Sequence, residues 1–313
     1  MMVYLEMLCK TLIFPGFLFL AVYSTLLEFV DRKLYARMQN RVGPPWYQPI
    51  ADVLKLLGKE SMIPADADGK MFGLMPIVTF AAVIAGFMYV PVFGRHAIFS
   101  FQGDIVIVLY FLTIPPLAMF LAGWYSRDVY ATIGATRTLT QMFVYEVPLF
   151  IAILAPTLLA GTWSISEIMK FYSDHPLYAL INIPAMFTAL ISFQCKLERA
   201  PFDSPEAETE IVSGPLVEYG GRLLAFFHMA TDCEMVLVVS LFSAIYLPFS
   251  TGIVWVDFLL YFVKTLGTLF MMILMRATMA RLEIHHIVSF CWKYLTPVAV
   301  AQVVLNLLIR GVL

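Results

Sequence analysis

The segment 196–222 reads KLERAPFDSPEAETEIVSGPLVEYGGR and gathers six carboxylates, Glu198, Asp203, Glu206, Glu208, Glu210 and Glu218, around Lys196, Arg199 and Arg222. A second ionisable set falls inside apolar sequence: Glu146 in LTQMFVYEVPLF, His228, Asp232 and Glu234 in LAFFHMATDCEMVLV, and Lys264 in LLYFVKTLGTL. Carboxylates, an imidazole and an amine take up and pass protons, and carboxylates also coordinate Na⁺. His228 and Asp232 are four residues apart, so they share a helix face and reach each other, whereas Glu234 points away from both. A plainer reading pairs these charges to fix helix register, with Lys264 neutralising Asp232 or Glu146. Glu28 belongs to the set more weakly, because a side chain near a span's end can snorkel to the interface. The acids of 196–222 also have a plain reading as solvated surface. The short, rigid APFDSP and the direct return through GPLVEYGG favour a folded polar patch that docks a partner or feeds a cavity.

The elements that must position these groups are spans. Of the 313 residues, 61% are hydrophobic and only 13% charged, with mean hydropathy +0.83. Soluble domains carry about a quarter charged residues, so this is an all-α polytopic membrane protein forming a single membrane domain. Eight windows reach the ~20 apolar residues a spanning helix needs: roughly 11–30, 72–93, 105–124, 139–161, 177–195, 223–248, 256–275 and 294–313. Pro15, Pro115, Pro116, Pro148, Pro156 and Pro184 predict kinks whose freed carbonyls find other partners. Glu146 then sits about 10 Å, and Asp232 about 15 Å, inside the membrane from the polar loops. Charges at that depth face a bundle interior or a wet cavity.

Orientation follows from the basic residues. The connections 31–71, 125–138, 196–222 and 276–293 hold fifteen of the twenty Lys and Arg, among them Arg32, Lys33, Arg37, Arg41, Arg137, Arg276 and Arg281, against Lys10, Arg95, Lys170 and Arg310 on the other side. That places these loops in the cytoplasm and both termini outside. Within the first loop, QPIADVLKLLGKE (48–60) spaces Ile50, Val53, Leu54 and Leu57 as an amphipathic surface helix, with Asp52, Lys55 and Lys59 largely elsewhere on the turn. The four cysteines include no close pair, which argues against an iron–sulfur or zinc site and for buried small residues. No metal, nucleic-acid surface, Gly-rich phosphate loop, Ser/His/Asp arrangement or internal repeat is expected, and the missing repeat argues against a stand-alone transporter.

Four ordered stretches carry a resemblance. Arg199, Ala200-Pro201-Phe202-Asp203, Glu206, Glu208, Glu210, Gly214 and Glu218-Tyr219-Gly220-Gly221 form one. Arg32-Lys33, Gln39, Arg41, Gly43-Pro44, Gln48-Pro49, Ala51-Asp52, Lys55 and Lys59-Glu60 form the second, and Gln141-Met142 with Tyr145-Glu146-Val147 the third. Arg276-Ala277-Thr278, Arg281, Trp292-Lys293 and Pro297 close the series. Together they resemble the membrane-anchoring subunit of respiratory complex I (the mitochondrial subunit 1 family) and its relatives in energy-converting, membrane-bound [NiFe] hydrogenases. The chain departs from the family pattern at Asp31, at Lys196 where an acid is usual, and at His285-His286; the GPLVEYGG close is more like the hydrogenase branch.

The resemblance implies a non-redox subunit of an oxidoreductase complex that binds no cofactor itself. It would hold a cytoplasmic arm, made of a small subunit bearing [4Fe–4S] clusters and a large catalytic subunit with a NiFe-type centre, against antiporter-like membrane subunits. Glu146, His228, Asp232, Glu234 and Lys264 are then the ion-translocation candidates. Arg32, Lys33, Arg37, Arg41, Asp52, Arg199, Asp203, Glu206, Glu208, Glu210, Glu218, Arg276 and Arg281 are the coupling-loop and partner-interface candidates. A quinone-reducing or sulfur-reducing complex of the same architecture is the alternative.

Overall fold

The structure, a computed structural model, describes residues 2–92, 94 and 97–312, with side chains described for 6–92, 94, 97–207 and 210–311. Arg95 and the side chain of Glu208, both singled out above, therefore lie outside the described residues. Among the described residues every regular element is helical: α1 (Met2–Leu12), α2 (Phe17–Met38), α3 (Gln48–Leu57), α4 (Gly69–Phe87), α5 (Asp104–Tyr125), α6 (Val129–Ala160), α7 (Ile165–Asp174), α8 (Pro176–Ile181), α9 (Ile183–Lys196), α10 (Glu208–Ile211), α11 (Gly221–Tyr246), α12 (Val254–Thr278), α13 (Ile284–Phe290) and α14 (Thr296–Val312). A π-helical turn, Cys291–Leu295, joins the last two.

Seven continuous stretches are long and apolar enough to cross a membrane: Glu6–Met38, Gly69–Phe87, Asp104–Tyr125, Val129–Ala160, Gly221–Tyr246, Val254–Thr278 and Ile284–Gly311. The eighth expected span, 177–195, is built as two pieces, α8 and α9, which meet at the buried Asn182. Together they still run from the end of α7, whose Ser173 bonds Ser250, to Lys196 on the polar-loop side.

The helix at the centre is α11. Its residues 233–246 are buried on every side, as suits a helix apolar all round, and it packs against α2, α3, α4 and α12. The outer helices bury one face only: α2 turns Leu20, Tyr23 and Leu27 inward and leaves Leu18, Val22 and Leu26 exposed, an apolar stripe at i, i+4, i+8 fit for lipid or a neighbouring subunit. Helix ends follow local chemistry. Asp68 and Asp128 cap α4 and α6 by accepting from Met71 N and Ala131 N, and Gly161 stops α6 at φ +74°.

Prolines free carbonyls that side chains then claim. Pro156 withdraws the donor for Ala152 O, and Tyr246 Oη supplies one at 2.8 Å; Pro76 does the same to Phe72 O, met by Tyr219 Oη at 3.1 Å. The second case fixes the far end of the acidic loop to α4, with Tyr219 stacked on Phe72 at 3.9 Å. Cys195, Cys233 and Cys291 are buried as their apolar surroundings in the sequence suggest, but Cys9 is exposed on α1, which touches little besides α2.

Candidate functional site

The acidic loop 196–222 is folded onto the bundle rather than solvated. Gln141 of α6 donates from Nε2 to Cys195 O (2.8 Å) and Phe202 O (2.7 Å), gripping both ends of its first turn. Arg281 bonds the carboxylate and the carbonyl of Asp203 (2.8 and 2.7 Å), and Leu282 N donates to Pro201 O at 2.9 Å. Arg137 meets Glu210 at 2.6 Å. Gly134 on α6 lets the loop come this close: a Cβ there would stand 2.6 Å from Gly214 Cα.

Beneath the loop lies a cavity of about 780 Å³, walled by α2, α3, α4, α5, α11, α12 and the loop itself. Pro49, Val53 and Leu56 give it one apolar wall from α3, whose opposite face leaves Ile50 and Leu54 exposed. Pro115, Pro116, Met119, Leu216 and Phe227 add further apolar lining, and six of the charged groups are joined into a chain of alternating sign. Asp52 meets Arg32 at 2.9 Å, Arg32 meets Glu28 at 2.5 Å, and Glu28 meets Arg199 at 3.1 Å. Arg199 then meets Asp31 at 2.8 Å, and Asp31 meets Arg276 at 2.9 Å. Asp31 is only 2% exposed, so its two guanidinium partners are what make burial of that charge tolerable. Burial works against the Arg199 cation, yet Asp31 and Glu28 outweigh it and raise its pKa.

A separate ion pair closes the rear. Lys196 Nζ stands 2.6 Å from Glu234 Oε1, with the two residues 4% and 6% exposed. The ammonium also lies 5.9 Å from the centre of the Tyr145 ring. Around this pair three oxygens, Tyr145 Oη, Glu146 Oε1 and Glu198 Oε2, are buried with no hydrogen-bond partner among the described residues. Burial, then the nearby Glu206 and Glu234, push the Glu198 carboxyl well above the usual carboxylate range, and Lys196 opposes them. His228 and Asp232 share the cavity-facing side of α11 as their spacing predicts, but no hydrogen bond joins them among the described residues.

The sequence profile of the family described as NADH dehydrogenase matches residues 10–307. The chain belongs to that family. An NADH-quinone oxidoreductase subunit from Dehalococcoides mccartyi (strain CBDB1) is 32% identical over 309 residues, covering 97% of this chain and 86% of that protein. NADH-quinone oxidoreductase subunit 8 of Thermus thermophilus is 32% identical over 302 residues, covering 92% and 82%. Among solved structures, a chain of the membrane-bound sulfane sulfur reductase, an archaeal respiratory membrane complex, superposes with TM-score 0.85 at 28% identity, covering 98% of this chain and 100% of that one. This NADH dehydrogenase-family protein is a membrane component of a respiratory complex.

In this family member the cavity brings together Arg32, Asp52, Arg199, Asp203, Glu206, His228, Asp232, Glu234, Arg276 and Arg281. Glu146 stands behind the wall, on α6, beside Lys196 rather than in the cavity. Lys264 is elsewhere: its Nζ reaches Phe249 O at 3.3 Å, and it lines a pocket of about 10 Å³ with Asp257 and Ser243 at the far end of α12. It neutralises neither Asp232 nor Glu146, because it lies about 18 Å along α12 from Arg276, the residue of that helix that lines the chamber. Arg37 and Arg41 are exposed, Lys33 reaches Pro44 O, Glu210 stays at the surface and Glu218 is half-buried. Three central groups, Asp31, Lys196 and Glu198, fall outside the coupling and translocation candidates read from sequence, and Glu28 entered only as a weaker member of the ionisable set. The signal for Glu28 and Asp31 is their i, i+3 spacing near the end of α2, which puts both acids on one face toward Arg199, whereas Lys196, the last residue of α9, turns to Glu234 instead.

Proposed function

We propose that this chain is the anchoring and coupling subunit of its complex, linking electron transfer in a cytoplasmic arm to movement of H⁺ or Na⁺ through the membrane. The observation that carries the reading is the buried Lys196–Glu234 pair. It joins the loop that a docked arm would touch to a carboxylate embedded in the central helix, with Glu146 beside it. A charge arriving at the loop acts strongly across so short a path of low dielectric. It would redistribute protons or the pairing of Lys196 between Glu234, Glu198 and Glu146. The arm would comprise a small subunit with [4Fe–4S] clusters and a large subunit with a NiFe-type centre, and the next membrane neighbours would be antiporter-like. The bias of basic residues supports placing the chamber at the cytoplasmic side of the cell membrane.

In the assembled complex, Glu146→Gln is expected to abolish ion translocation while reduction of a soluble dye by the arm continues. Unchanged translocation removes Glu146 from the path.

A second reading rests on the chamber itself. Its volume and its apolar wall from α3 suit a small organic molecule, and the relatives are named for quinone reduction. A chamber that serves a quinone predicts loss of turnover in quinone-depleted membranes and recovery on adding quinone back; turnover that persists rules it out.

A further inference from the structure

The link between α12 and α13 carries a cluster outside the chamber. Glu283, His285 and His286 are exposed, and one ligand atom from each lies within 4.8 Å of the others. The two imidazoles stack side by side with centroids 3.9 Å apart, and His285 Nδ1 is 3.2 Å from Glu283 Oε2. We propose that Glu283, His285 and His286 form a binding site for a divalent transition-metal ion, with Zn²⁺ its best-suited occupant.

The donor set decides the class of ion. Two imidazole nitrogens and a carboxylate oxygen favour Zn²⁺ and its d-block neighbours, whereas Mg²⁺ and Ca²⁺ take oxygen. Three protein donors leave a fourth, open position for water or an outside group. Ligands bound at about 2.1 Å in a tetrahedral site lie about 3.4 Å apart. The widest separation here, within 4.8 Å, closes by up to about 1.4 Å on binding, which rotation of exposed side chains supplies. Cysteine spacing gives no sign of this site, because adjacent histidines two residues after a glutamate carry a different signal. The expectation of a chain without a metal site rests on that spacing alone.

The place of the site gives it a local consequence. Glu283 ends the non-helical link, and His285 and His286 belong to the first turn of α13. The same link holds the acidic loop through Arg281 to Asp203 and Leu282 N to Pro201 O. A metal bridging Glu283 to the two histidines pins the link to the helix beside those contacts.

The test uses the full chain in detergent, purified through a tag without histidine. Zn²⁺ binding is measured by competition with a chromophoric chelator, and Co²⁺ binding by its visible absorption. One Zn²⁺ per chain is expected, at least about tenfold weaker in His285→Ala and in His286→Ala, and lost in the double variant. Bound Zn²⁺ should also slow hydrogen exchange in residues 280–286. All three side chains are exposed, so the variants should keep the wild-type unfolding midpoint, which is measured alongside. Absence of stoichiometric binding, or binding that survives the double variant, overturns the site.

Discussion

The bundle has two buried polar regions, and they are built on opposite plans. In the far half, Asn182, Gln302, Asn306 and Tyr172 form a neutral network. Asn306 Nδ2 donates to Asn182 Oδ1 (2.7 Å) and Ala155 O (2.8 Å), Gln302 Nε2 to Ile181 O (2.9 Å), and Asn182 Nδ2 to Tyr172 Oη (2.9 Å), which donates to Pro156 O (2.9 Å). Amides and a phenol satisfy Ile181 O, where α8 meets α9, and Ala155 O and Pro156 O of α6, and none of these side chains lines the chamber. At the chamber end the polar groups are charged, surround open volume, and leave Tyr145 Oη, Glu146 Oε1 and Glu198 Oε2 without partners among the described residues. A satisfied neutral network holds one arrangement. A charged one with spare acceptors has more than one way to place a proton or a lysine, and that is what a coupling element needs.

Breaking the charged end should cost most. Lys196→Met leaves Glu234 buried without its cation and is expected to destabilise by about 3–5 kcal/mol, read as a lower unfolding midpoint in detergent. Lys196→Met with Glu234→Leu should recover most of that loss, because no buried charge then remains.

Breaking the neutral end should cost less and leave coupling alone. Asn306→Leu strips donors from Asn182 Oδ1 and Ala155 O and is expected to cost about 1–3 kcal/mol. Ion translocation per electron should stay at the wild-type value in complexes that assemble.

The smallest effect is a change in pH dependence. Glu198 has a raised pKa in the folded chain, so the folded state binds its proton more tightly than the unfolded state does. Its favourable contribution is complete below the unfolded value of about 4.3 and is lost as pH rises through the folded value. Glu198→Gln should therefore flatten the fall in stability on going from mildly acid toward neutral pH. An unchanged pH profile of the unfolding midpoint would show that Glu198 is not buried as described.

Much of this is legible in the chain. Apolar windows locate the crossings because a membrane span leaves a long, unambiguous signal, and 48–60 announces α3 through the spacing of Ile50, Val53 and Leu54. The break at Asn182 is legible only in part: Pro184 predicts a kink there, but PLYALINIPAMF is apolar almost throughout and the partners on α14 that hold Asn182 leave no mark in it. The charge chain is hidden for a related reason: Arg199 lies 171 residues from Glu28, and Arg276 lies 245 from Asp31. Sequence spacing shows which residues share a helix face, as it does for His228 and Asp232, but not which face meets which. That is why spacing alone offers Lys264 partners that it does not approach.

The central claim is that the Lys196–Glu234 pair transmits the state of the loop to the membrane interior. Lys196→Gln with Glu234→Gln removes both charges while leaving polar side chains in their place. In complexes carrying this double variant and reconstituted into vesicles, ions moved per electron should fall close to zero while dye reduction by the arm stays at the wild-type rate. A wild-type ratio of ions to electrons in that variant would contradict the account.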